Sequence, residues 1–276
     1  MTLHSFRAAL LAVAALLSTA PARADLMLFP TRVVFEPSQR VAQLELVNDG
    51  ERPATYRIEL VNKRMTDTGQ FVDIEQAAPG ELFADAMLRY SPHQVTLQPG
   101  ISQTIRFSLR RPSELADGEY RSHLVFRKLP EAGGATSVEQ RPAGGGDIGT
   151  VLTALVGASV PVIVRQGELS ASNTLSGLTL SGAAPGQPPL AVATLERSGN
   201  RSSYGDLVLS FARRGGASEE LARIGGVALY VPNQRRALRI TPKADGQLSG
   251  GTLRLEYRAA REAGGALLAA TSVELP

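Results

Sequence analysis

Apolar and polar residues alternate through most of the chain, and one stretch carries the alternation unusually far. In "TVLTALVGASVPVIVRQ" (150–166) every second residue is apolar: Leu152, Ala154, Val156, Ala158, Val160, Val162 and Val164. The interleaved set is mixed and includes Thr153, Gly157, Ser159, Pro161 and Arg165. A period of two predicts a β-strand with one apolar face. Its length exceeds the usual strand of about five or six residues. Proline has no backbone N–H to give to a central strand, so Pro161 points to a sheet edge or a bulge there. Two readings follow. All seven apolar side chains face the strand's own core, or the edge serves as a template for a strand from another protein.

The same period recurs elsewhere. Ala42, Leu44 and Leu46 alternate with Gln43 and Glu45, and Tyr56, Ile58 and Leu60 with Arg57 and Glu59. Ile105, Phe107 and Leu109 alternate with Arg106 and Ser108. In "RSHLVFRK", Ser122, Leu124 and Phe126 share one side, and Arg121, His123, Val125 and Arg127 the other. Turn signals such as "NDGERP", "DTGQ", "QPG" and "ADG" separate these runs. Short strands at this spacing predict an antiparallel β-sandwich. The Gly-rich stretch 130–149 breaks the rhythm and reads as a long loop between two strands. Strands resume after a junction at 166–177, in "LAVATLER", "GDLVLSFAR", "GVALYVP", "ALRITP", "GTLRLEYRA" and "ALLAATSVEL". "ASEELARI" (217–224) is the one segment with a helical look. The chain thus divides into residues 1–24, a first β unit over 25–166 and a second over 167–276.

The first 24 residues change the picture of charge and location. Arg7 precedes the apolar run "AALLAVAALLSTA", and "ARA" (22–24) fits a small-x-small cleavage site. This is the pattern of a secretory signal peptide cut after Ala24. The run is short for a bilayer span. Cleavage removes Arg7 and Arg23 and no acid, so the formal charge falls from +3 to about +1. A nucleic-acid partner therefore has no electrostatic footprint. With no cysteine, disulfides, thiolate metal sites and cysteine nucleophiles are excluded. No His-Glu-x-x-His, Gly-x-Ser-x-Gly or phosphate loop is present. His93 lies in a turn and His123 in a strand, and both read as structural. "NRS" at Asn200 matches a glycosylation sequon of a kind that arises by chance. The expectation is a binding protein rather than an enzyme, with no metal and no cofactor.

Three stretches resemble the PapD-like periplasmic pilus chaperones. They are "LFPTRVVFEPSQRVAQLELVNDGERPATYRIEL" (28–60), "SPHQVTLQPGISQTIRFSL" (91–109) and "DGEYRSHLVFRKLP" (117–130). The likeness covers most of residues 26–166 and weakens beyond. It implies an all-β fold of two immunoglobulin-like β-sandwich domains in an L-shape. It also implies a periplasmic chaperone that completes pilus, fimbrial or related surface-fibre subunits by donor-strand complementation and passes them to an outer-membrane usher. Leu152, Ala154 and Val156 match the donor positions. Arg32 matches the first of two basic residues that hold the subunit's C-terminal carboxylate. The second is a lysine four residues before the arginine ending the long strand. Arg165 matches that arginine, so Pro161 stands where the lysine belongs. The resemblance therefore leaves the anchor incomplete, to be rebuilt by another basic residue such as Arg121 or Arg127. The alternative is a diverged adaptor or scaffold that no longer donates a strand. An exposed edge would also permit self-association.

Overall fold

The computed structural model describes residues 26–130, 157–181, 189–243 and 248–276. The first part contains β1 (Leu26–Phe29), β2 (Val33–Phe35), β3 (Val41–Asn48), β4 (Ala54–Val61), β5 (Lys63–Met65) and β6 (Phe71–Asp73). It continues with β7 (Leu88–Ser91), β8 (Gln94–Leu97), β9 (Ser102–Leu109), β10 (Gly118–Lys128) and β11 (Gly157–Gln166). The second part contains β12 (Ala171–Ser181), β13 (Leu190–Gly199), β14 (Ser203–Arg213), β15 (Ser218–Leu229), β16 (Arg235–Ile240), β17 (Gly251–Ala259) and β18 (Leu267–Leu275). Among the described residues helix is limited to two single 3₁₀ turns, and the protein is an all-β pair of sandwiches.

The first sandwich packs sheet β1-β3-β9-β7 against sheet β2-β11-β10-β4-β8. The period-2 pattern meets its reason here. Leu44 and Leu46 of β3, Tyr56 and Ile58 of β4, and Ile105 and Phe107 of β9 bury against Phe35, Leu124 and Phe126. Their polar neighbours face outward, because successive side chains leave a strand on opposite faces. Asn48 closes β3: its fully buried amide donates to Arg52 O at 2.8 Å and Leu97 O at 3.0 Å and accepts from Gly50 N at 3.0 Å. The long alternating stretch divides. Val160, Val162 and Val164 pack in this sandwich's own core. Ala158 is half-buried. Leu152, Ala154 and Val156 lie outside the described residues, as does Ala24.

The second sandwich pairs sheet β12-β13-β16 with sheet β15-β14-β17-β18 around Leu195, Leu209, Leu229, Leu253, Leu255 and Tyr257. "ASEELARI", helical in look, lies almost wholly in β15, whose residues pair antiparallel with β14 through two register shifts. Leu221 enters the core from it. The long-range ladder outweighs the local helix preference of Glu, Leu and Ala.

A third, small cluster joins the sandwiches: Met65, Ile163, Ala228 and Tyr230, with Val34 and Tyr204 against them. The hairpin β5–β6 belongs to the first sandwich but is gripped by the second. Asn233 Nδ2 donates to Met65 O at 2.9 Å and Ala237 N to Asp67 O at 2.7 Å. The β10–β11 face pointing this way carries Arg121, His123, Pro161 and Ile163, which the register places side by side. Their burial comes from the hairpin β5–β6 and from Tyr230 of the second sandwich rather than from the core of the first.

Candidate binding cleft between the two sandwiches

Residue 31 to residue 35 carries the chain into β2, which pairs parallel with β11 from Val33↔Val162 to Phe35↔Val164. Arg32 stands just before that pairing. Its guanidinium lies 4.0 Å from the ring centre of Tyr204 on the second sandwich. A guanidinium over an aromatic face keeps its in-plane N–H groups free for an anion. Arg32 lines an interdomain cavity of about 260 Å³ with Arg165, Arg201, Ser203 and Asn173. Among the described residues it has no carboxylate partner.

Arg165 is committed elsewhere. Its Nη1 meets Glu36 Oε1 at 2.6 Å and its Nε meets Glu119 Oε2 at 3.2 Å. The same Glu119 oxygen accepts from Ser202 N at 3.3 Å, so one carboxylate ties the base of β11 to the second sandwich. Arg121 is 7% exposed. It lies over Tyr230 at 4.4 Å and Phe71 at 5.6 Å, and its Nη2 donates to Lys63 O at 3.1 Å. Its Nε and Nη1 have no partner, and burial draws its pKa below the ordinary arginine value. Tyr230 beside it is pushed up to about 12, chiefly by burial. Arg127 stands six residues further along β10, about 20 Å from Arg121 at the rise of an extended strand, and pairs on the surface with Glu59 at 2.8 Å. Arg121 therefore faces the cleft region and Arg127 does not.

Pro161 lines a second cavity of about 480 Å³, with Met65, Phe71, Tyr204, Tyr230 and Arg236. Tyr204 is a wall of both cavities. The residue in the place of the implied lysine thus opens on one cavity and Arg32 on the other. Pro161 also sits where the sheet edge changes. Residues 157–161 pair with β10 on one side, and β2 joins the other side only from Val162. Among the described residues the outer edge of 157–161 is open, a place that tolerates a residue without N–H.

Periodicity gave no sign of Arg201, Ser203, Tyr204 or Tyr230. The first three fall in "GNRSSYG", which has no apolar alternation, and Ser203 and Tyr204 already belong to β14. Gly199 adopts φ +97°, and a Cβ there would come within 2.3 Å of Ser170 O. Asn200, the sequon residue, spends its side chain on Ser170 N at 2.9 Å and Glu168 O at 3.2 Å.

No family model matches the chain, and no curated protein matches it. Solved structures similar to it are chaperones. The YadV chaperone is 14% identical, with a TM-score of 0.44 over 91% of this chain and 100% of that one. The CsuC–CsuE chaperone–tip subunit pre-assembly complex, from chaperone–usher Csu pili of Acinetobacter baumannii, is 11% identical, with a TM-score of 0.45 over 92% and 100%. The periplasmic chaperone SfaE is 14% identical, with a TM-score of 0.41 over 91% and 100%.

Proposed function

We propose that this chain is an exported, non-enzymatic chaperone. It holds β-rich pilus, fimbrial or related surface-fibre subunits by lending them a strand, and passes them to an outer-membrane usher. The observation that carries the reading is the pairing of an open edge with an uncommitted guanidinium. The outer side of 157–161 is unpaired among the described residues, and Arg32 stands beside the point where that edge closes. A partner strand running along this edge would bring its terminal carboxylate toward Arg32, which can take it bidentately. Leu152, Ala154 and Val156, which precede β11 in sequence, would on this reading fill the partner's groove, at about 1.5–3 kcal/mol for each large side chain buried. Release by strand exchange needs no nucleotide.

The test is capture of subunits from periplasm by the tagged chain, with Leu152→Asp and Val156→Asp beside the wild type. Capture lost in folded variants is the expected result. Undiminished capture would remove strand donation from the account. Pro161 favours a second reading, in which the chain is an adaptor that binds assembly components without donating a strand. Under that reading the wild type captures no subunit at all.

A further inference from the structure

We propose that the layer between the two sandwiches is a gate: it opens while both sandwiches stay folded, and the unpaired guanidinium of Arg121 keeps it close to opening. The proposal goes beyond the chaperone reading and does not depend on it.

The layer is built on the β10–β11 face that turns away from the first core. Met65, Ile163, Ala228 and Tyr230 form its apolar part, and Arg121 lies over the rings of Phe71 and Tyr230. Seven buried side-chain nitrogens and oxygens lack a hydrogen-bond partner among the described residues. Four of them belong to this layer: Arg121 Nε and Nη1, His123 Nε2 and Arg236 Nε. A buried polar group without a partner works against the arrangement that buries it. Arg121 adds a charge to this. Arginine keeps its proton in proteins, and burial is the main force acting against that charge here. The carboxylates whose charge reaches it are engaged elsewhere, Glu119 with Arg165 at 3.2 Å and Glu81 with Arg64 at 2.6 Å. The two rings and the bond from Nη2 to Lys63 O replace part of the lost hydration. Opening the layer would restore the rest.

The closure itself is light. The hairpin β5–β6 is a sheet of its own with three residue pairs, and a lone pair of strands is marginally stable in water. It meets the second sandwich through Asn233 Nδ2 to Met65 O at 2.9 Å, Ala237 N to Asp67 O at 2.7 Å and the Phe71–Tyr230 rings at 5.9 Å. At the end of β11 the chain passes to the second sandwich through residues 167–170, where Gly167 adopts φ +72° and a Cβ would collide with the Asp117 side chain. The Glu119 bridge lies at that end. The seam therefore has a tied end at the connector and a lightly closed end at the hairpin, the arrangement of a hinge. Opening at the hairpin would bare Met65, Ile163 and Tyr230 and widen the 480 Å³ cavity beside Pro161. Pro161 and Ile163 share this face of β11, so the bared apolar surface adjoins the open edge of 157–161.

The chain has no cysteine, so a single introduced thiol reports opening cleanly. Val162 and Ile163 are neighbours on β11, both fully buried, one in the first core and the other in the layer. Ile163→Cys and Val162→Cys are made separately in the full folded chain and labelled with dithionitrobenzoate in low urea. A gate exposes little surface, so the Ile163→Cys rate is expected to be nearly independent of urea, whereas Val162→Cys waits for unfolding and its rate rises steeply. In the Ile163→Cys background, Arg121→Met puts apolar atoms against the two rings and is expected to slow labelling about tenfold. Asn233→Ala, which loses the bond to Met65 O, is expected to speed it several-fold. An Ile163→Cys rate that climbs with urea in step with Val162→Cys would overturn the gate. An unchanged or faster rate in folded Arg121→Met would overturn the part given to Arg121. An unchanged rate in Asn233→Ala would overturn the hairpin as the closing element, and this variant keeps the test decisive if Arg121→Met does not fold.

Discussion

His123 sets a pH limit on the first sandwich. It is 1% exposed, its Nδ1 lies 3.1 Å from Ser159 Oγ, its Nε2 has no partner, and its ring lies 4.6 Å from that of Phe71. Burial first, then the charges of Arg121 and Lys63, lower its pKa from 6.5 to about 3. The folded state therefore holds a neutral ring where the unfolded chain takes a proton. Above the unfolded value the two states bind protons equally and nothing is lost. As pH falls below 6.5 the unfolded state gains the proton and the folded state does not, so stability falls by about 1.4 kcal/mol per pH unit until the folded value is reached. Between about pH 7.5 and pH 5 the loss is roughly 2 kcal/mol. Exposed carboxylates titrate mostly below that window, which makes it diagnostic. The perturbation is His123→Gln, which keeps a polar end for Ser159 and removes the titration. Urea midpoints read by far-UV circular dichroism should fall by roughly 1 M in the wild type over this window and should stay nearly flat in His123→Gln. A wild type and variant with parallel pH dependence would refute the reasoning, as would a His123 ring resonance that titrates near pH 6.5.

Glu119→Gln removes the carboxylate that holds Arg165 at 3.2 Å in a buried pair and also accepts from Ser202 N; it should destabilise the protein by about 3 kcal/mol, measured by denaturant unfolding. Gly199→Ala forces a Cβ toward Ser170 O at φ +97° and should lower stability by about 2 kcal/mol. An unchanged melting temperature would mean that the "GNRSSYG" loop is free to adjust. Arg32→Ala loses the stack on Tyr204 and should leave unfolding within about 1 kcal/mol of wild type, while subunit capture drops sharply; intact capture would move the anchor off this residue.

Periodicity made the sandwich interior legible because a strand with one wet face must alternate. Leu44, Leu46, Ile105 and Phe107 fall where the pattern puts them. The opposite face of β10 misleads by the same logic. Arg121 and His123 share a face of polar pattern, yet the hairpin β5–β6 and Tyr230 cover them. A sequence pattern records polarity, and here polar groups are buried by a hairpin of the same unit and by a tyrosine of the other, both distant in sequence. Arg32 stands out through the likeness of "TRVVF" to a family motif, and it lines an interdomain cavity. Arg201 leaves no mark in the pattern, because the residues around it do not alternate and it meets the cleft only where the two sandwiches come together. "ASEELARI" failed through local preference, which the pairing of β15 with β14 overrides.

The ladder between β10 and β11 also has a mechanical consequence. Ten positions of β11 pair with β10, and β2 grips the far half from the other side. A pull along β11 loads all of these bonds in shear, together with the Glu119 bridge at the strand's end. On the proposed function, a strand laid on the open edge of 157–161 would instead be peeled sideways, one bond at a time, and its release would put no strain on the protein's own ladder.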